Sequence, residues 1–313
     1  MKHSFKKSPH VAILMCTYNG AQYLAEQLDS IQNQDYKNWT LFVNDDGSKD
    51  NTLKIIKDYQ KKWGAKKLII RRGPQKGFCQ NFLNIINDKK ITAYLYFLSD
   101  QDDVWMPHKL SHSIKKISKF NLSKPTLYCS RATYVSNDAK KILGYSDLFL
   151  KSPSFKNALV QSIAGGNTMA FNNSLKKVTQ RYLKADVVSH DWWLYILNEL
   201  IGGKTFYDVE STILYRQHEN SIVGANMGFI PKIKRFWMLL NGTFREYNTK
   251  HFLVFNQFSM YGLKRNLEII DQFFILRDKS LMERMLIISK IGIYRQTFNT
   301  HLALCLGLVI KKI

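Results

Sequence analysis

The sequence predicts an α/β protein, a mostly parallel sheet flanked by helices, followed by a helical, basic C-terminal extension. Three observations lead there. Short apolar runs alternate with segments of helical periodicity between Val11 and Leu98, and strands that alternate with helices imply right-handed crossovers and a parallel sheet. Each apolar run ends in polar or glycine residues, and ligands of open parallel sheets bind beyond that strand edge. Beyond Met227 the strand pattern stops, and the chain turns helical, aromatic and basic.

In chain order, Val11–Cys16 has the length and β-branching of a buried strand. The turn Thr17-Tyr18-Asn19-Gly20 follows, and Tyr23, Leu24, Leu28 and Ile31 give Ala21–Gln32 a helical stripe. Trp39–Val43 is a second strand, ending in NDDGSKDN. Asp50 and Thr52 suit the start of a helix over Leu53–Trp63. Leu68–Arg72 is a strand, Phe78–Asn87 a helix, and Tyr94–Leu98 a strand that closes in Ser99-Asp100-Gln101-Asp102-Asp103. From Leu127 the strands become short and broken: Leu127–Cys129, Thr133–Val135, the segment Ala164–Phe171 with Gly165-Gly166, and Thr212–Arg216. A helix runs from Asp191 to Leu200. The expected division is residues 1–226 and residues 227–313.

Of the 313 residues, 45% are apolar and 13% aromatic, which excludes a largely disordered chain. The formal charge of +22 attracts polyanions: nucleic acid, anionic lipid or phosphorylated small molecules. Residues 228–313 hold 14 Lys/Arg against 5 Asp/Glu. The four cysteines form no CxxC pair, which argues against a zinc cluster or a disulfide scaffold and fits a reducing cytosol. The apolar run Leu302–Ile310 is about half of a membrane span, and the start of the chain lacks the apolar stretch of a signal peptide. The expectation is a cytoplasmic protein, soluble or peripheral on the inner face of the plasma membrane.

The strongest chemical signal is the acidic turn. Three carboxylates in four residues repel one another, and a divalent cation such as Mg²⁺ or Mn²⁺ relieves that repulsion. In extended backbone, Asp100 and Asp102 point to the same side. A solvated acidic turn is the other reading. Asp45 and Asp46 could accept hydrogen bonds from a nucleotide base or ribose, or simply close an Asp-Gly turn. Tyr18 offers a flat face for a base. Neither GxGxxG nor a P-loop occurs, which argues against a dinucleotide dehydrogenase and a P-loop NTPase. In His190-Asp191-Trp192-Trp193, desolvation beside two tryptophans would raise the Asp191 pKa and suit it to take a proton from a hydroxyl. The Trp faces could stack on sugars. Arg216 could hold phosphate oxygens and His218 a metal, whereas His108 and His112 read as surface residues.

Together these residues resemble a family 2 glycosyltransferase of the Rossmann-like GT-A fold. The ordered set is Cys-Thr-Tyr-Asn-Gly, Asp-Asp-Gly-Ser-x-Asp, Gly-Phe-x-x-Asn-Phe (Gly77 to Phe82), Asp-Gln-Asp-Asp-Val-Trp, Gly-Gly-Asn, His-Asp-Trp-Trp and Tyr-Arg-Gln-His. It covers roughly residues 10–225 and is most similar to bacterial rhamnosyltransferases of surface-polysaccharide assembly. The resemblance implies that Thr17, Tyr18, Asp45, Asp46, Arg72, Asn81, Asp100, Gly165, Gly166 and Arg216 line the donor site. It implies Asp100, Asp102 and His218 as ligands of Mn²⁺ or Mg²⁺, and Asp191 as the catalytic base. The Glu that often precedes this base is His190 here. The implied reaction is inverting transfer from a nucleotide sugar, dTDP-rhamnose or a UDP-hexose, to a saccharide or lipid-linked acceptor, with the basic C-terminal helices meeting an anionic membrane surface. A nucleic-acid-binding protein and a metal-dependent nucleotidyltransferase are the rival readings. The spread of the basic residues along the chain and the absence of an RNA-binding signature disfavour the first.

Overall fold

The computed structural model describes residues 8–182, 185–218, 237–258 and 261–313. The expected boundary at residues 226 and 227 lies outside the described residues.

The expected mostly parallel sheet is present. In it, β1 (Val11–Thr17), β2 (Trp39–Asp45), β3 (Leu68–Arg72) and β4 (Leu95–Ser99) are parallel, in the order β4-β1-β2-β3. On the far side of β4 follow β9 (Ala170–Asn172), β6 (Thr126–Ser130) and β10 (Lys204–Asp208). β9 runs antiparallel to both of its neighbours.

β1 shows why the strands read as continuous apolar runs: all of its residues are buried. Ala12, Leu14 and Cys16 enter one core cluster, and Val11, Ile13 and Met15 enter the other. That alternation is the period-two geometry of a strand covered on both faces. The first cluster takes residues from α3 (Phe78–Asn87) and α7 (His190–Leu200). The second takes α1 (Ala21–Gln32), α2 (Thr52–Trp63) and α4 (Lys109–Ile117). Two short helices, α5 (Phe155–Ala158) and α6 (Asn173–Thr179), flank the first face. The expected C-terminal helices are α8 (Thr243–Phe258), α9 (Lys264–Ile275), α10 (Leu281–Ile291) and α11 (Phe298–Val309). They add Phe252, Phe273 and Leu304 to the first cluster.

A second, four-stranded sheet orders β5 (Val104–Trp105), β11 (Ile213–Arg216), β7 (Thr133–Val135) and β8 (Ile142–Tyr145). β5 and β11 pair antiparallel, Trp105 opposite Ile213 and Val104 opposite Leu214. That register carries the chain after β11 back along the residues before β5, toward the acidic turn. His112 corrects a surface reading: its side chain is largely buried, and its Nε2 lies 2.8 Å from Asp208 Oδ2 at the end of β10.

Candidate active site

Because β4, β1, β2 and β3 are parallel neighbours, their C-terminal ends share one edge. The loops there are tied by side chains that accept backbone N–H groups. Thr17 Oγ1 donates to Asp45 Oδ1 at 2.9 Å, and Asp45 Oδ2 accepts from Gly47 and Ser48. Asp46 Oδ1 accepts from Gln75 N at 2.6 Å, and its Oδ2 from Gly77 N at 3.0 Å. Asn19, at φ +47°, donates its N–H to Ser48 Oγ and accepts from Lys49 N. Asp50, one residue before the N-cap Asn51, accepts from Thr52 N at the start of α2 and also from Ala21 N in the neighbouring loop. Asp45 and Asp46 are therefore buried with loop donors on both oxygens, while the Tyr18 ring stands 56% exposed at the rim.

Gln101 locks the first loop to the acidic turn. Its Oε1 accepts from Tyr18 N at 2.9 Å, and its Nε2 donates to Tyr18 O at 3.1 Å. It covers Gly20 so closely that a Cβ there would lie 2.1 Å from Oε1. Sequence reasoning passed over Gln101. The available signal was an amide between carboxylates, a group able both to give and to take a hydrogen bond.

The acidic residues divide in two. Burial, then the charges of Asp102 and Asp191, push the Asp100 pKa up to about 8. Asp102 Oδ2 lies 2.9 Å from His218 Nε2, whose ring packs on Tyr23 with centroids 4.8 Å apart. Asp103 is committed elsewhere. It is fully buried, and its Oδ2 accepts from Asn167 Nδ2 at 2.7 Å. The equally buried Lys109 donates to Asn167 O at 3.1 Å. Burial pulls Lys109 down to about 7, opposed by the charge of Asp103. This pair ties the Gly165-Gly166-Asn167 turn to the acidic turn. Lys109 was not legible as a site residue, since nothing in the sequence marks a helix lysine as buried.

Gly166 has a steric reason. A Cβ there would come within 2.4 Å of His190 Nε2. His190 stacks on Phe82 with centroids 4.0 Å apart, and burial pulls its pKa to about 4, so the imidazole is neutral. Asp191 follows in the first turn of α7 and accepts from Trp192 N at 2.7 Å.

Three expectations need correction. Trp192 and Trp193 offer no face to a sugar. Both are buried: Trp192 Nε1 donates to Ala158 O, and Trp193 packs on Tyr182 and Phe255. Arg216 does not present its guanidinium to a phosphate. It is 2% exposed and donates to the Asp102 carbonyl at 2.9 Å, to the Asn137 carbonyl and to the Glu26 carboxylate. Asn81 is buried beneath Gly73, its Nδ2 on the Asn44 carbonyl, and shapes the loop from below. Arg72 is exposed at the end of β3, opposite Asp45.

Among the described residues, no three His, Cys, Asp or Glu side chains form a metal cage by themselves. Asp102 and His218 nevertheless pair oxygen with imidazole nitrogen, beside a carboxylate raised by burial and then by its charged neighbours. That donor set fits Mn²⁺ or Mg²⁺ held partly by protein and partly by a ligand's phosphates.

Solved structures share this architecture. The mannosyltransferase PcManGT from Pyrobaculum calidifontis, in complex with GDP-Man and Mn²⁺, superposes with a TM-score of 0.51 at 15% identity, over 98% of this chain and 88% of that one. TarS 1–349 of S. aureus, in complex with UDP-GlcNAc, gives 0.52 at 14% identity, over 97% and 89%. The fold is that of a GT-A glycosyltransferase. The family model for glycosyl transferase family 2 matches residues 12–183. The dTDP-rhamnosyl transferase RfbG of Shigella flexneri is 31% identical over 248 residues, 75% of this chain and 82% of that one. The chain belongs to glycosyltransferase family 2. Nothing in these matches favours a nucleic-acid-binding protein or a nucleotidyltransferase.

Lys109→Met removes the buried donor to the Asn167 carbonyl and leaves that carbonyl short of a partner. It is expected to lower the stability read from a urea transition by about 1–3 kcal/mol. A variant as stable as the parent would show that this bond does not hold the turn.

Proposed function

We propose that this chain is an inverting transferase that moves rhamnose from dTDP-rhamnose to a hydroxyl of a saccharide or lipid-linked saccharide during assembly of a bacterial surface polysaccharide. The observation that carries the reading is the gathering of Asp100, Asp102, His218 and Asp191 at the edge where the parallel strands end. The likeness to the Shigella flexneri rhamnosyltransferase over most of both chains supports the choice of donor.

Asp191 takes the proton of the acceptor hydroxyl as that oxygen attacks the anomeric carbon. The nucleoside diphosphate departs from the opposite face, so the configuration inverts. His190, neutral in its slot, adds no positive charge beside the base. Tyr18 offers its exposed ring to the nucleobase, within loops shaped by Thr17, Asp45 and Asp46. Arg72 presents positive charge near the diphosphate. Gly165 and Gly166 form the turn beside donor and acceptor, the missing Gly166 side chain admitting His190 next to the base. Asp102 and His218, with Asp100, are the residues that would hold Mn²⁺ or Mg²⁺. Such an ion supplies neutralisation of the charge that builds on the departing diphosphate. We propose an anionic membrane surface as the place where a lipid-linked acceptor is met, motivated by the basic residues of 228–313.

Asp191→Asn is expected to lower transfer by about 10²- to 10⁴-fold, the usual worth of a general base, while nucleotide affinity stays unchanged. Near-normal turnover with an authentic acceptor would remove Asp191 from this role. The Asp100 carboxyl makes a second prediction. Folding raises its pKa from 3.8 to about 8, so the folded chain holds that proton better than the unfolded chain. Cation-free stability should therefore fall as pH climbs from about 4 to about 8. Thermal melts should show Mn²⁺ stabilising more at pH 8 than at pH 5, and equal shifts would contradict this.

A further inference from the structure

α10 and α11 each bury one face and leave the other apolar face bare. On α11, Leu304 and Leu308 enter the core, while Phe298, Leu302 and Leu306 are exposed, Phe298 by 78%. Their four-residue spacing puts them on one stripe. On α10, Arg284 and Ile291 turn inward, while Met282, Met285 and Leu286 are exposed, Met282 by 77%. Arg284 reaches from α10 to the Leu308 carbonyl at the end of α11, which joins the two helices. Apolar exposure concentrated on two helices that touch each other marks an interaction surface better than singly scattered residues do.

The charge around the stripes selects the occupant. From Lys279 onward the chain holds six Lys/Arg and one acid, Glu283. Glu283 is already engaged, by the Ser280 backbone N–H in a capping box and by Lys279. Lys279, Lys290 and Lys311 stand at the ends of the two helices. A second copy of a chain carrying +22 would bring like charge against like across this face. An anionic bilayer meets both features, acyl chains for the stripes and lipid headgroups for the lysines. No described helix is long and apolar enough to cross a membrane, so the contact is one of lying on the surface.

We infer that α10 and α11 form a membrane-docking plate that seats the protein on an anionic lipid surface. This deepens the membrane contact proposed above and rests on that reading only for the acceptor that the membrane would present.

Co-sedimentation of the full chain with vesicles tests it without sugar transfer, so the two readings fail separately. Binding is expected to phosphatidylcholine vesicles containing phosphatidylglycerol, and to weaken strongly without the anionic lipid. The exposed-site pair Met285→Glu with Leu302→Glu should lower the partition coefficient by about tenfold or more, with an unchanged melting temperature and nucleotide affinity. Lys290→Gln with Lys311→Gln should lower it specifically at low salt. The inference is overturned if the parent chain ignores anionic vesicles or if the Glu pair binds them as the parent does. It is equally overturned if light scattering finds a parent dimer that the Glu pair turns into a monomer, which would assign the plate to a second copy.

Discussion

Carboxylates crowd one edge of the sheet, and the rest of the site is organised around their repulsion. Burial lifts Asp100, and the charges of Asp102 and Asp191 add to that lift. Asp103, next in line, turns away to Asn167, and burial followed by the charges of Asp102 and Asp100 pushes its carboxyl well up. What remains is a pair of acids that a proton, an imidazole or a cation must meet. His218 arrives for that purpose from a different sheet. The register of β5 on β11 brings it back, and Arg216 brackets the approach by holding the Asp102 and Asn137 carbonyls together with Glu26. The arginine acts through position rather than by offering its charge.

The same contrast of sign operates at two scales. A chain of +22 draws anions from a distance, whether sugar diphosphates or lipid headgroups. At short range the acidic turn repels a diphosphate. The divalent cation proposed between them would reconcile the two fields, and this is why the carboxylates, a cost to the cation-free fold, belong with the proposed chemistry. The loops gripping Asp45 and Asp46 take their course for a related reason: buried carboxylates must be satisfied by N–H groups, and satisfying them shapes the rim.

Much of this was legible in the sequence, for physical reasons. β1 and β4 read clearly because strands covered on both faces are continuous apolar runs. The strand-end loops followed from the parallel order. Of the second sheet, β7 and β11 read as strands but their assembly with β5 and β8 did not, because β5 has two residues and its partner β11 lies more than a hundred positions away. Burial was the other blind spot. Lys109, Arg216 and Asn81 look like surface residues in a sequence, and the tryptophans of His190-Asp191-Trp192-Trp193 look like sugar platforms. Only tertiary packing turns them inward. Gln101 and His190 lay within the motifs, but their roles came from contacts with Tyr18 and with Gly166.

Titration calorimetry with dTDP tests the central claim most directly, comparing the parent chain with Asp102→Asn in Mn²⁺ and in EDTA. The parent should bind dTDP with Mn²⁺ present and lose most of that affinity in EDTA, whereas the variant should bind weakly in both. Equal affinity with and without the cation, or an Asp102→Asn chain that keeps the full Mn²⁺ effect, would contradict the account.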